Sequence, residues 1–365
     1  MQRFAAASLV LVLALAAGAA RAETLTNEEV IKLVEAKFSE ELIAQKIGSS
    51  ECRFDLSTDG LLKLKEKNVP PAIIKLMMDT NDRQLKEIKV AVQMALQGLK
   101  DKDPAQADRA LRALKRLGPD AIGEIARQGL SSDSAAVRAG SAEAIGLIGH
   151  RDGLDPLFDA LADREAEVRA AAARALKPVL DGEAAAARDK AVKRLLDMLR
   201  LVDKPRDGAV LALGWLGEAR AAPEIRGLVE AINAPIVRRA AAAALGLMGD
   251  KDGLDLLIKI VLEDRDAEVR AAAAFSLAQL GDPKAVPPLL KSFERFPQER
   301  ARLVGPLSRF RDPKVVAALI EAIDDEDPKV GELAWEALKV LTGERLKKSK
   351  QDWADWWELA GKKRF

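Results

Sequence analysis

An all-α protein made of stacked helix pairs, a right-handed α-solenoid of about eight units preceded by a small helical-hairpin module, is what this sequence predicts. Three observations lead there. Ala and Leu dominate the apolar residues, while Tyr is absent and aromatic residues reach only 4%, which suits closely packed helices and not sheets. Two segments recur at near-constant intervals, as stacked supersecondary units do. Glycines fall just after the recurring apolar runs, where a helix end favours a residue with positive φ.

With 365 residues and 48% hydrophobic content, the chain has ample apolar surface to bury. Its 58 Lys and Arg nearly cancel its 57 Asp and Glu. No net field draws it to nucleic acid or anionic lipid, and neither is an expected partner. Residues 1–22 carry the marks of a signal peptide: Arg3, an apolar run from Phe4 to Gly18, then Ala20-Arg21-Ala22 as a small-residue cleavage site. Cleavage after Ala22 leaves Glu23 first, and a periplasmic or secreted destination follows. The alternative is an uncleaved anchor, for which the run is short of the roughly 20 residues that span a bilayer. No later stretch is apolar enough to span one, so the mature chain is expected to have no integral membrane segment. Cys52 is the only cysteine; it is read as a buried small hydrophobe, with an intermolecular partner as the alternative.

The first repeat lies in residues 23–80. Leu25-Thr26-Asn27-Glu28-Glu29-Val30-Ile31-Lys32-Leu33 returns 31 residues later as Leu56-Ser57-Thr58-Asp59-Gly60-Leu61-Leu62-Lys63-Leu64. Thr26 and Ser57 are hydroxyl N-caps, and Glu29 stands at capping-box spacing from Thr26. Ser39 and Pro70 open the second helix of each hairpin. The charged run Asp79 to Lys89 holds no Gly or Pro, so helix is expected to continue into the next region.

The second repeat covers residues 85–345. Val137-Arg138-Ala139 leads to Ala144-Ile145-Gly146-Leu147-Ile148-Gly149, and Val237-Arg238 and Val269-Arg270 open similar phrases. Copies begin near Gln106, Val137, Val168, Pro205, Val237, Val269, Glu299 and Val330. Each unit reads as two amphipathic helices, the second Ala-rich so that neighbours approach closely, with Gly as C-cap and an Asp/Pro turn after it. One pair cannot bury both apolar faces, so units must stack. Leu180 to Asp203 lengthens one interval, either as a longer helix or as a protrusion.

These phrases resemble HEAT repeats, in the short form called phycobilisome-lyase-type HEAT-like repeats. The N-terminal phrase resembles a small helical module of exported bacterial proteins. Arg138, Arg169, Arg206, Arg238, Arg270 and Arg300 recur at one register position, and Asp133, Asp163 and Asp264 precede three of them by five or six residues. The resemblance implies that such Arg and Asp form a structural ladder joining each turn to the next. A row of cations for carboxylate or phosphate is the functional alternative. Arg206 and Arg300 lack the upstream Asp.

Residues 346–365 hold Trp353, Trp356 and Trp357, which share a helical face. A capping helix for the open end is expected, with an aromatic anchor for a protein or glycan as the alternative. No catalytic, cofactor or metal site is expected. His150 is the only histidine, Cys52 has no partner for nucleophilic chemistry, and no phosphate-binding glycine loop occurs. The function expected is an exported, non-catalytic scaffold for a protein partner. A bilin-lyase-like enzyme or chaperone-type attachment factor, implied by the resemblance alone, and an envelope-glycan binder are the alternatives.

Overall fold

A computed structural model describes residues 24–101, 103–201, 205–230 and 232–365. The signal-peptide reading of residues 1–22 therefore lies outside the described residues. The described chain is almost entirely helical, and it divides into two compact units, one ending at Ala91 and one running from Val92 to Phe365.

In the first unit, α1 (Asn27–Glu35), α2 (Glu40–Ser49), α3 (Thr58–Glu66) and the start of α4 (Pro71–Gly98) form two hairpins. The Thr26 N–H donates to the Glu29 carboxylate at 2.9 Å, and Ser57 Oγ accepts from the Gly60 N–H. One feature was not predicted: two short strands, β1 (Leu25–Thr26) and β2 (Cys52–Arg53), pair in parallel. Cys52 is buried in the core with Val30, Ile43, Ile47 and Ile73. Burial, then the neighbouring Glu51 charge, pushes its thiol pKa up, which disfavours the reactive thiolate. The boundary expected near residues 80–85 is not a loop. With no Gly or Pro to stop it, α4 runs through to Gly98.

The second unit alternates two rows of helices. The second-helix row comprises α5 (Pro104–Leu117), α6 (Ala135–Ile148), α8 (Ala166–Asp181), α10 (Asp207–Leu216), α12 (Pro235–Met248), α14 (Ala267–Leu280), α16 (Arg300–Leu307) and α18 (Pro328–Thr342). Between them lie a helical segment at 119–130, α7 (Leu154–Ala160), α9 (Ala185–Leu199), α11 (Ala222–Gly227), α13 (Leu254–Glu263), α15 (Val286–Arg295) and α17 (Pro313–Glu321). The lengthened interval is a longer helix, α9, followed by residues outside the described set at 202–204. A last helix, α19 (Lys350–Leu359), packs against α17.

Small residues set the spacing of the second-helix row. A Cβ on Gly146 would stand 2.7 Å from the Ala175 Cα, and one on Gly214 2.8 Å from the Ala244 Cα, so α6 and α10 each touch the next helix of their row backbone to backbone. Ala-rich stripes fill the same seam, with Ala172, Ala173, Ala241, Ala242, Ala273 and Ala274 fully buried. Each unit thus covers a face its neighbour cannot bury alone.

Candidate interaction surface

The recurring arginines sit where the turn between paired helices meets the next unit. Arg138 donates from Nε and Nη2 to both oxygens of Asp163, at 2.7 and 2.9 Å. Arg169 meets Asp207 at 2.9 Å, and Arg238 grips Asp264 at 2.9 and 2.8 Å. Arg270 pairs with Glu299, Arg300 meets Asp325 at 2.8 Å, and Arg206 donates to the Asn233 side-chain oxygen at 2.8 Å. In four units the remaining nitrogen holds the unit's own turn: Arg138 Nη1 donates to the carbonyls of Ser132 and Asp133, and Arg169, Arg238 and Arg270 make the corresponding bonds. Six consecutive arginines thereby reach forward to an oxygen of the following unit.

The register differs from the expected one. Asp133 gives Arg138 its main-chain carbonyl, and the carboxylate comes from the next unit. The reason is spacing. Asp163 and Asp264 stand six residues before the arginine of their own unit, and each accepts the N–H two residues on, at 2.8 and 2.9 Å, a turn that aims the carboxylate back at the preceding unit. Asp133 stands five residues before, and Ser132 holds the equivalent position. Arg206 finds no carboxylate in that place and takes an amide. Besides the Asn233 amide, three carboxylate partners are not among the expected acids. Asp325 was findable, because it lies six residues before Gly331, in the register of Asp163 and Asp264. Asp207 and Glu299 are not in that register; they enter because α10 and α16 start late and put the residue beside Arg206 or Arg300 into the slot.

Arg138, Arg169, Arg238 and Arg270 are buried, as are Asp207 and Glu299. Burial raises the Asp163 and Asp264 carboxyls, but hydrogen bonds from Arg138 and Arg238 and from the turn N–H groups outweigh it, and both lie below the usual carboxylate range. The arginines are therefore occupied side chains, not a free cationic row.

The outer side of the second-helix row is different. Leu147, Trp215 and Leu247 each stand two residues before the glycine that ends their helix, and Phe275 lies one turn back on α14. Leu147 is 42%, Trp215 37% and Phe275 53% exposed. Leu147 shares a depression with Pro178, Lys115, Glu143 and Arg174. Lys115, Arg174 and Arg239 have no ion-pair partner among the described residues. Trp215 is not among the expected interaction residues, although its place before Gly217 puts it in the same register as Leu147.

The C-terminal tryptophans are mostly inside. Trp353 is fully buried, its indole N–H donating to the Lys347 carbonyl at 3.0 Å, and Trp357 is buried beside Phe365. Of the three, Trp356 alone is partly exposed. The aromatic-anchor alternative is corrected for Trp353 and Trp357, which are buried as a capping helix requires: a side chain that closes the end of the stack has no face left for a ligand. Among the described residues no three His, Cys, Asp or Glu side chains converge as a metal site, and no helix is long and apolar enough to cross a membrane.

A comparison with curated proteins gave no match. Among solved structures, human deoxyhypusine hydroxylase aligns at 24% identity over 71% of this chain and 98% of its own, with a TM-score of 0.32. The complex of CpcE and CpcF of phycocyanin lyase from Nostoc sp. PCC7120 aligns at 19% over 68% and 94%, with a TM-score of 0.38. The karyopherin Kap121p bound to the SUMO protease Ulp1p aligns at 13% over 91% of this chain, with a TM-score of 0.50, and this chain spans 41% of the karyopherin. At such identity the likeness concerns the fold alone. The sequence model for HEAT repeats matches residues 92–177, 123–211 and 225–304, and with more than half of the chain covered, the protein belongs to the HEAT-repeat family.

Proposed function

We propose that the protein is an exported, non-catalytic scaffold that binds a protein partner along the outer side of its second-helix row. The observation that carries this is the set of exposed apolar residues Leu147, Trp215 and Phe275, with the partly buried Leu247, on helices of one row, together with the cations Lys115 and Arg174 beside Leu147, which have no ion-pair partner among the described residues. Exposed aromatic and aliphatic groups in a row are costly to leave in water unless a partner covers them. The arginine ladder is excluded as the contact surface, because its charges are already satisfied between units. The cationic flank favours a partner segment that carries carboxylates beside its apolar anchors. Export rests on residues 1–22, and Glu23 is the expected first residue of the mature chain.

The test is affinity capture from envelope extract with the wild-type chain and with the double variant Trp215→Asp/Phe275→Asp. The expected result is a reproducible protein partner lost with the variant, while thermal unfolding stays within a few degrees. A captured set that does not respond to the substitutions overturns the assignment of the face. N-terminal sequencing of the protein recovered from cells tests export directly; an intact Met1 contradicts it.

A further inference from the structure

The two hairpins of the first unit are copies in three dimensions as well as in sequence. α1 maps onto α3 at an offset of 31 residues, and the two non-glycine residues with positive φ, Lys37 (60°) and Asn68 (56°), are equivalent. The Phe38 N–H to Leu33 carbonyl bond likewise maps onto Val69 N–H to Leu64 carbonyl, at 3.1 and 3.0 Å.

Identical hairpins could pack through the same face of each. These do not. The first buries Val30, Ile31, Ile43 and Ile47, whereas the second buries Leu64, Val69, Ile73 and Met77. Moved by one repeat, the first set falls on Leu61, Leu62, Ile74 and Met78, and the second falls on Leu33, Phe38, Leu42 and Lys46. The two sets share no position, so the contact joins unlike faces and is heterologous. Of these equivalent positions, Leu33 in the first hairpin and Leu61 and Ile74 in the second pack partly against the same core, and the rest of each face is left uncovered. Phe38 is 51%, Leu42 52%, Leu62 52% and Met78 45% exposed.

One of the two rim ion pairs follows the same register, while the other, Lys67 with Glu35, falls on Ala36 and Glu66 and has no counterpart. Lys63 reaches across the formed contact to Glu28 at 3.4 Å. Their equivalents are Lys32, beside the open face of the first hairpin, and Asp59, beside the open face of the second. Neither has an ion-pair partner among the described residues.

We propose that the N-terminal module stacks head to tail on the same module of a second copy of this chain. The Leu62/Met78 face of one copy receives the Phe38/Leu42 face of the next and pairs Asp59 with Lys32. The occupant is a second copy because the surface offered on one side and the surface it needs on the other are the two halves of a contact that the chain already makes with itself. Lys46 stands where Met77 packs inside, and Leu33, Leu61 and Ile74 are already partly covered, so the contact between copies buries less apolar surface than the one within the chain. It also lacks the advantage of tethering, and association depends on concentration. A heterologous contact leaves an open face on every assembly, so growth continues past two unless a ring closes.

Sedimentation velocity on the full chain across a concentration series tests this, with Phe38→Glu and Leu62→Glu as variants. Both positions are half-exposed, and circular dichroism confirms that the variants fold. The wild type is expected to grow beyond dimer, and each variant alone to remain monomeric, because every contact needs one intact face of each kind. An equimolar mixture of the two variants is expected to form a species of two chains and stop there. A wild type that stays monomeric throughout, assemblies that persist in either variant, or a mixture that stays monomeric overturns the proposal.

Discussion

The two units of this protein both repeat at about 31 residues, yet they join their repeats in opposite ways. In the HEAT region the joint is an arginine reaching an oxygen of the next unit, and at Arg138, Arg169, Arg238 and Arg270 it is an arginine–carboxylate pair with a buried arginine that also holds the local turn. In the N-terminal module it is an apolar face with exposed ion pairs at the rim, such as Lys63 with Glu28 and Lys67 with Glu35. The ends differ as well. The HEAT row stops itself: Gly331 stands where an arginine would be, with the Ile323 carbonyl 2.4 Å from any added Cβ, and α19 covers the last pair with Trp353. Among the described residues the N-terminal module has no such stop, and Phe38 and Leu42 on one hairpin and Leu62 and Met78 on the other stay exposed. A repeat built on directional pairs can end by omitting one partner; a repeat built on apolar faces ends only when something covers it.

This contrast can be broken by substitution. The largest effect is expected at the buried rung. Arg169→Ala leaves Asp207 charged and buried with no counter-ion, and unfolding by urea should show a loss of about 3–5 kcal/mol. The double variant Arg169→Met/Asp207→Leu should recover most of that, since neither charge is then stranded. If both variants are equally unstable, packing and not charge compensation governs the joint. Trp353→Ala should cost about 3–5 kcal/mol at a site that only the last units feel, seen as early hydrogen exchange in α17 and α18. Uniform loosening of the whole row would contradict a local cap.

An acid titration sharpens the comparison. Asp163 and Asp264 have pKa values held below those of the unfolded chain, so their contribution is present above about pH 4 and is lost as pH falls through the lower, folded values. Arg138→Met and Arg238→Met should each flatten that part of the stability curve. An unchanged slope would show that the turn N–H bonds, not the arginines, hold the carboxylates down. The smallest effect is expected at the rim of the N-terminal module: Lys63→Ala should change stability by less than about 1 kcal/mol, and a larger loss would mean that this joint too relies on charge.

The fold was legible because its signals are local. Hydroxyl caps at Thr26 and Ser57, helix-ending glycines such as Gly249, and the Ala-rich phrases each specify a helix or its limits without knowledge of the rest of the chain. The recurrence of Val-Arg marked the ladder's cations. Its anions were only half legible, because the pairing crosses between units and helix starts vary: Asp325 could be found by counting, Asp207 and Glu299 could not. The β1–β2 pair was invisible, since two residues per strand carry no alternation. The candidate surface was the least legible. Trp215 and Phe275 read as ordinary core residues of an apolar helix until the stacking decides which side of the row faces solvent.

Site-specific photo-crosslinking tests the central claim most directly. With a photoreactive side chain placed at Trp215 or Leu247 on the second-helix row, or at Lys259 on the first-helix row, cells are irradiated and the adducts identified by mass spectrometry. Adducts to one protein from positions 215 and 247, and none from 259, are predicted; adducts from 259 alone would contradict the assignment of that face as the interaction surface.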